Sequence, residues 1–541
     1  MARQRKGRPV HQEWTPERSV AGDRNPWLIV GVISIATFMV VLDTSIANVA
    51  LQHIAGALSA SYDEASWVIT SFLVSNAVII PISGWLADVI GRKRYYMMSV
   101  ALFTGASLLC GLAPSLDFLI AARVLQGIGG GGLAPVEQAM LADTFPPEKR
   151  GLAFAAYGVV VIVGPIAGPT LGGVITDNIS WHWVFLINVP IGILSLILVS
   201  IFVHEPEALH RRKAELLAGG LKVDYVGFAL VALFLGCLEV TLDRGQREDW
   251  FSSPMIIGFA LVAGLSFIVL IPWELTHDNP ILALRLFARR NFAISSVLLL
   301  ITGLIIFGTT LFIPQLLQQV LGYSATDAGL ALTAGGLATI VMMPISGVLS
   351  GRIDPRIMVG AAFTVQGLAL WNMSQLSTDM SFTDAALARM WQAIGLPFLF
   401  VPITTVAYVG LHPEENNQAS SMMNVMRNLG GTIGISTVQT LLAQRQQFHQ
   451  SRFVEGLNPL NPNYNAAVDQ LSQTLKTHGI APPDAMPAAV GLIYRMLVRQ
   501  TMMLSYVEAF HIMMIVIFCA LPLVLLMQKP PKGAAARGGG G

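Results

Sequence analysis

The amino-acid sequence predicts an all-α integral membrane protein with fourteen transmembrane helices, arranged as two six-helix bundles plus two extra spans between them. Three observations carry the prediction. Of 541 residues, 54% are hydrophobic and only 12% are charged, about half the charge of an ordinary soluble domain. Apolar runs of about 20 residues, long enough for a helix to cross hydrocarbon, recur along the chain between short polar breaks. Segments of the first half also return in the second. "RVLQGIG" (Arg123 to Gly129) returns as "RMWQAIG" (Arg389 to Gly395), and "PISGWLADVIGRKR" (Pro81 to Arg94) as "PISGVLSGRIDPR" (Pro344 to Arg356). Repeats of this kind build two bundles that rock about a central site.

In chain order, residues 1–26 form a basic N-terminal segment. The first bundle covers 27–203, with spans near 27–51, 65–87, 95–113, 116–141, 152–175 and 182–203. Its first run is too long for a signal peptide and lacks a small-residue cleavage site, so a retained span is expected. A linker, 204–223, precedes the inserted pair of 224–273, with spans near 224–242 and 254–273. After a second linker, 274–291, the second bundle occupies 292–527, with spans near 292–319, 327–350, 357–374, 384–409, 419–441 and 504–527. Within it the external loop 442–505 carries the cluster "LNPLNPNYN" and the amphipathic "AAVDQLSQTLKTHGI". A loop of that length in a compact protein is usually functional or unstructured. No proline follows Pro487 until Pro522, so the last helix is expected to begin well before the membrane. The tail, 528–541, ends in a flexible Gly-rich run.

The net formal charge of +1 gives no reason to expect a nucleic-acid partner, and the distribution of charge is more informative. Lys and Arg gather on one side of the spans: the N-terminal segment, Arg92 to Arg94, Lys149 and Arg150, Arg211 to Lys213 with Lys222, Arg285 with Arg289 and Arg290, Arg352 and Arg356, and Lys529 and Lys532. The opposite short loops hold almost none, Arg244 and Arg247 excepted. The positive-inside rule then puts both termini in the cytoplasm. Cys110, Cys237 and Cys519 fall in apolar runs without metal-ligand spacing and are read as buried thiols, so no metal or other cofactor is expected.

Asp43 sits in the almost uncharged run "ATFMVVLDTSIANVAL". A carboxylate at a helix centre costs about 2.5–3.5 kcal/mol on insertion scales, so it faces a cavity or a partner. Asp43 lies roughly 12 Å inside the external end of its span at Leu51, and Arg123 roughly 10 Å inside its own end near Leu116. A neighbouring Arg favours the charged carboxylate and burial the neutral one. Two readings follow: a pair that loads and releases a proton as its exposure changes, which is preferred, or a static buried ion pair.

Gly84 and Asp88 lie one turn apart before a basic turn, and the basic residues alone are equally explained as a topogenic loop. The two Gly-Pro pairs of "VGPIAGPTLGG" both kink a helix and allow tight packing. "GIGGGGLAP" lacks the Lys and Ser/Thr of a phosphate loop, which leaves close helix packing, and with no Walker motif elsewhere direct ATP drive is disfavoured. Glu239 and Asp243 are read as interfacial, and His511 as a packing residue.

Together, "LDTSIANVAL", "GWLADVIGRKR", "RVLQGIGGG", "GPIAGPTLGG" and "WHWVFLINVPIG" resemble the major facilitator superfamily, in its fourteen-span drug:proton antiporter branch, over nearly the whole chain. The resemblance implies the major facilitator fold and export of lipophilic or amphipathic drugs across a bacterial inner membrane against proton entry. The implied partners are protons, those small molecules and membrane lipid. It implies proton coupling by Asp43 and Arg123 and a gating motif of Gly84, Asp88, Gly91, Arg92 and Lys93. It further implies an antiporter helix motif of Gly164, Pro165, Gly168, Pro169 and Gly172, while Glu137, Asn48 and Gln126 are assigned to the substrate cavity. The late external loop and "RQTMMLSYVEAF" resemble the pumps of tripartite efflux systems, which implies a periplasmic adaptor protein and an outer-membrane channel. The chain departs from the pattern at Gln52, where Pro is usual, at the degraded "GRIDPR", and at Glu137, where a small polar residue is expected. The last departure leaves the substrate range open.

A proton-coupled exporter of one native metabolite, siderophore or lipid is the nearest alternative. An integral-membrane enzyme would need clustered His or carboxylate ligands within spans, which the sequence does not supply. A purely structural membrane adaptor gives no reason for Asp43 and Arg123.

Overall fold

The structure is a computed structural model that describes residues 19–22, 24–205, 223–277 and 280–528. The N-terminal segment to residue 18, the linker residues 206–222 and the tail 529–541, with the basic residues predicted there, lie outside the described residues. The described chain is helical, without a strand among the described residues.

The first bundle comprises α1 (Pro26–Ala57), α2 (Tyr62–Ala65), α3 (Trp67–Ile90), α4 (Arg92–Gly111), α5 (Leu116–Gly131), α6 (Leu133–Thr144), α7 (Pro147–Asn178), α8 (Trp183–Leu186) and α9 (Asn188–Phe202). The inserted pair is α10 (Tyr225–Arg244) and α11 (Pro254–Thr276). The second bundle is α12 (Arg290–Gln315), α13 (Ala325–Ser350), α14 (Pro355–Met373), α15 (Phe382–Ala407), α16 (Asn416–Val454), α17 (Pro462–Thr477) and α18 (Pro482–Leu525). Each of the fourteen stretches expected to span is largely helical, and among the described residues eleven helices are long and apolar enough to cross a membrane. The three that fall short are α4, which opens on Arg92, Lys93 and Arg94, α14, and the polar α16.

Local chemistry sets the helix starts. Pro26 occupies the first turn of α1, where its missing N–H is no loss, and the Asn25 side chain accepts from the Trp27 backbone N–H. At the end opposite the basic loops, serines cap the entering helices. Ser61 and Glu64 close a capping box before α3, Ser381 and Asp384 do the same for α15, and Ser115 and Ser324 cap α5 and α13. The internal repeat therefore extends to the caps. Between α3 and α4, Gly91 turns the chain at φ +100°, a conformation that favours glycine.

Two seams join the bundles, α3 against α16 and α7 against α13. Both are made by the repeated "PISG" motif. A methyl group on Gly84 would lie 2.9 Å from the backbone oxygen of Asn417 in α16. One on Gly347 would lie 2.9 Å from Leu152 Cα and from Ala155 Cβ in α7. Phe154 stacks on Tyr408 beside the second seam, with ring centroids 5.6 Å apart.

The inserted α10 packs on α11 and also touches α3 and α16, so it lies against both bundles. This buries Glu239, contrary to the interfacial expectation, because its face of α10 meets α16, where Thr432 bonds both carboxylate oxygens at 3.2 and 3.1 Å. Asp243 accepts from Thr70 of α3. Of the three cysteines only Cys110 is buried; Cys237 is half-buried and Cys519 exposed. An apolar residue in a span can face lipid as well as core.

The stretch 442–505 is largely helical. α16 continues to Val454, α17 follows, and α18 runs unbroken for 44 residues, about 66 Å at 1.5 Å per residue. Gln450 bonds the Tyr494 hydroxyl at 2.9 Å, and Arg445 and His449 hold Glu508 at 3.1 and 3.2 Å, so α16 and α18 run out of the spanning region together.

Candidate functional site

Asp43 of α1 and Arg123 of α5 meet in the first bundle, both wholly buried. Arg123 Nη1 donates to Asp43 Oδ2 at 2.6 Å. Asp43 Oδ1 accepts from Gln126 Nε2 at 2.9 Å and from Asn188 Nδ2, at the start of α9, at 2.7 Å. Gln126, one turn after Arg123, also accepts from Arg123 Nη1 at 2.6 Å and donates to Ser107 of α4 at 2.7 Å. Arg123 Nε donates to the Val68 carbonyl at 3.0 Å, and its guanidinium lies 4.2 Å from the Phe72 ring centroid. Each charge thus has a counter-charge and polar ligands, which a buried ion pair requires. Arg123 Nη2 and Asn188 Oδ1 are left without a partner.

The repeated segment builds a second cluster without an acid. Arg389 Nη1 donates to Gln392 Oε1, again one turn on, and Gln392 Nε2 donates to Thr309 of α12 at 2.7 Å. Arg389 Nη2 reaches Thr310 at 3.2 Å, and Nε has no partner.

Glu137 of α6 is wholly buried within the first bundle. Thr37 donates to its Oε2 at 2.6 Å, while the Tyr96 hydroxyl lies 2.9 Å from Oε1 and 2.6 Å from the Ile33 carbonyl. Tyr96 has one proton for two acceptors. All three groups are satisfied when Glu137 is protonated and donates to the Tyr96 oxygen, leaving the phenol proton for Ile33. Asn48 is exposed at the far end of α1 and bonds the Thr44 carbonyl of its own helix at 2.8 Å. His511 is exposed on α18.

The residues assigned by resemblance to a gating motif lie at the end that carries the basic loops. Asn417 donates to Asp88, and Asn416 donates to Asp143, which is also ion-paired with the buried Arg92. Lys93 bonds the Ser200 carbonyl at 2.9 Å. Ser421 donates to the Pro81 carbonyl at 2.9 Å, and Asn424 to Gln138 Oε1 at 2.9 Å. Among the described residues, every side-chain hydrogen bond joining the two bundles directly falls in this half, and none joins their opposite halves. The bundles are closed at the basic-loop end.

In α7, Gly164, Gly168 and Gly172 stack one turn apart along α1. Side chains there would press on Val41, Ser45 and Ile46, and the Pro165 carbonyl accepts from Ser45 at 3.5 Å. The stripe draws α7 onto the face of α1 beside Asp43. Nearer the basic loops the two helices part around an apolar groove of about 490 Å³, lined by Trp27, Gly31, Ile35 and Phe38 of α1 with Val159 and Val163 of α7. The run Gly127 to Gly132 is close helix packing, with Gly127 and Gly131 against α3 and Gly129 against Phe103 of α4.

Sequence reading missed Asp143, Asn188, Gln138, Asn416, Asn417 and Asn424. Asp143 had a signal, an acid at the end of a span beside a basic loop. The asparagines of α16 had none, because a lone amide acquires its role only from what the other bundle brings to it, and Asn188, though inside the quoted "WHWVFLINVPIG", takes its role from Asp43 of its own bundle.

The family model described as Major Facilitator Superfamily matches residues 33–435. The chain is 42% identical over 450 residues to the multidrug export protein EmrB of Haemophilus influenzae, covering 82% of this chain and 86% of that one. It is 36% identical to the fatty acid resistance protein FarB of Neisseria gonorrhoeae, covering 92% and 95%. Among solved structures, the proton:xylose symporter XylE superposes with a TM-score of 0.57 at 14% identity, over 78% of this chain and 90% of that one.

Proposed function

The chain belongs to the major facilitator superfamily, and from that membership we propose that it is a proton-coupled antiporter. It exports lipophilic or amphipathic drugs across the bacterial inner membrane through fourteen spans with both termini cytoplasmic. The relatives named for multidrug export support the substrate class. The observation that carries the coupling is the water-excluded Asp43–Arg123 pair with its amide ligands. The basic-loop end is the cytoplasmic one, and the direct side-chain hydrogen bonds between the bundles gather there, which supports reading this as an outward-facing state.

The cycle follows from the charges. In this state Asp43 is an ion held by Arg123, Gln126 and Asn188. A proton arriving from outside neutralises it and releases Arg123 from its counter-charge. The weakened cluster lets α1 move against α5 and α9, and the bundles rock until the proton leaves on the cytoplasmic side. One charge crossing about 100 mV supplies about 2.3 kcal/mol, enough for roughly a fifty-fold substrate gradient at about 1.4 kcal/mol per decade. Glu137, Asn48 and Gln126 are the substrate-cavity assignment carried forward, with Gln126 bound into the charge cluster.

The paired extensions of α16 and α18, with α17, form the surface for a periplasmic adaptor leading to an outer-membrane channel. Phe448, Phe453, Leu460, Met486 and Met496 are exposed there. Arg499 is turned inward instead, bonding the carbonyls of Val320 and Thr378 at 2.8 Å.

The test is transport by the purified protein in liposomes under an imposed proton gradient, against a panel of unrelated drugs. Efflux that ignores the gradient would remove the antiporter reading, and transport of a single compound would favour the one-metabolite exporter. Deleting 458–483 should leave liposome transport intact and abolish resistance in cells. Lost liposome transport by a folded variant would assign the extensions to the pump itself.

A further inference from the structure

The inserted α10 touches both bundles but is fastened to them unequally. The first bundle holds it at three points near its external end. Asp243 accepts from Thr70 of α3, Arg244 Nη2 donates to the Asp63 carbonyl at 3.3 Å, and the Arg244 guanidinium lies 4.2 Å from the Trp67 ring centroid. Towards the second bundle, among the described residues, the side-chain hydrogen bonding of α10 is confined to Glu239 and Thr432 of α16. Glu239 lies about 7.5 Å inside the external end of its helix at Arg244. The inserted helix therefore links the bundles in the half where they make no direct side-chain bond.

Glu239 is buried, and no cation answers it. Among the described residues no Lys, Arg or His lies within ion-pair distance of its carboxyl group. The neighbouring α3 and α11 carry one ionisable residue each, Asp88 and Glu274, both at the far ends of their helices. On α16 the nearest is Arg427, five residues before Thr432 and so roughly 140° around the helix; it bonds Asn424 Oδ1 at 2.8 Å instead. On α10 itself, Asp243 is a second acid one turn on, Arg244 is turned to Trp67, and Cys237 lies on another face.

The proton count then decides the form of the acid. Thr432 has one hydroxyl proton and three oxygens within reach: Glu239 Oε1 at 3.2 Å, Glu239 Oε2 at 3.1 Å and the Asn428 carbonyl at 3.2 Å. An ionised Glu239 would have that single hydrogen to answer a buried charge, which is costly without a counter-ion. A protonated Glu239 donates to the Thr432 oxygen and leaves the threonine proton for Asn428. Asp43, by contrast, has a guanidinium and two amides to hold it as an ion.

We propose that Glu239 is a second proton-binding site, loaded in this state, and that its proton seats α10 on the second bundle. Loss of the proton leaves a bare carboxylate at the contact, and the joint that opens is the single one to α16 rather than the three to the first bundle. Proton binding and seating are reciprocal: acid favours the seated helix, and the seated helix favours the bound proton. The site stands on this geometry alone. Its use in transport, as a second proton taken up from outside, rests on the exporter reading.

The test reads the proton and the seating separately, on full-length protein in nanodiscs without a gradient. Infrared difference spectra between neutral and alkaline buffer report the carbonyl band of a protonated carboxyl group as that band is lost. Glu239→Gln should remove one such band, which Asp43→Asn and Glu137→Gln should leave in place. Thr432→Val keeps the acid without its partner and should shift the same band without abolishing it. Spin labels at the external ends of α10 and α16 should move apart in the wild type over the pH range in which the band is lost. In Glu239→Gln they should stay close at every pH, because the amide is neutral and still bonds Thr432. Bands untouched by Glu239→Gln would mean that Glu239 carries no proton, and the proposal is overturned. A wild-type distance that ignores pH while the band disappears overturns it too, and needs no variant to fold. Band and distance behaving as expected, in a protein whose efflux ignores the proton gradient, would uphold this site and remove the antiporter reading.

Discussion

Arg123 and Arg389 open the same repeated heptapeptide, and each reaches back to a glutamine one turn on, yet the two clusters are chemically unlike. In the first half Gln126 and Arg123 converge on a carboxylate, Asp43. In the second, Gln392 and Arg389 converge on the hydroxyls of Thr309 and Thr310. The helix pairing is the same, α5 reaching α1 and α15 reaching α12. One acid exchanged for a hydroxyl leaves an ion pair in one half and a cation held by neutral groups in the other. The folded second half also shows that a buried arginine can be held by hydroxyls and an amide alone.

The largest effect should come from making the first cluster resemble the second. Asp43→Asn has one acceptor oxygen where the carboxylate has two, so it keeps either the guanidinium contact or the two amide contacts, and because it can carry no proton, gradient-driven efflux in liposomes should fall to the leak rate while the protein still inserts. Full active transport by this variant would remove Asp43 from coupling and leave the halves functionally alike.

Removing the cations should separate the halves next. Arg123→Ala strands a buried carboxylate, with an expected cost of about 3–5 kcal/mol. Arg389→Ala strands neutral groups, at about 1–3 kcal/mol. Thermal unfolding in nanodiscs reads both, and equal losses would mean that Asp43 is not held by charge. For transport, Arg123→Lys should be milder than Arg123→Ala, because the charge remains though the planar fork is lost.

The seams test whether the halves are alike where their sequences are. Gly84→Ala and Gly347→Ala each push a methyl group to about 3 Å from backbone across the joint. Each should disfavour the closed basic-loop end by about 1–3 kcal/mol. Spin-label distances between the bundles at that end should lengthen similarly in both variants, and a response from one alone would break the symmetry. The smallest effect is expected for Thr310→Val, which removes one hydroxyl from Arg389. A loss of about 0.5–1.5 kcal/mol is expected, and a much larger one would make that hydroxyl the main support of the cation.

The repeat was legible because its anchors are rare residue types at fixed offsets inside apolar runs. Asp43 and Arg123 stood out for the same reason, and counting 1.5 Å per residue placed them at similar depth. The early start of α18 followed from the proline-free stretch between Pro487 and Pro522, although the helix also runs through both of those prolines. The expectation failed where the neighbour was unknown. Glu239 near a span end looked interfacial until α10 was seen lying against α16, and 442–505 looked like loop because its polar helices carry no membrane signal.

By itself, the sequence determined that the chain is membrane-embedded and helical, that its two halves are related, and that one buried acid and one buried base lie at similar depth. Those properties depend on composition and on spacing along a single helix, which short-range geometry fixes. Only the tertiary structure decided that Asn188 completes the Asp43 site, that Asn416, Asn417 and Asn424 join the bundles at one end, and that among the described residues Arg389 and Arg427 meet no carboxylate. A hydrogen bond is made or lost within an ångström. Where partners lie hundreds of residues apart, that last ångström is set by how two bundles dock.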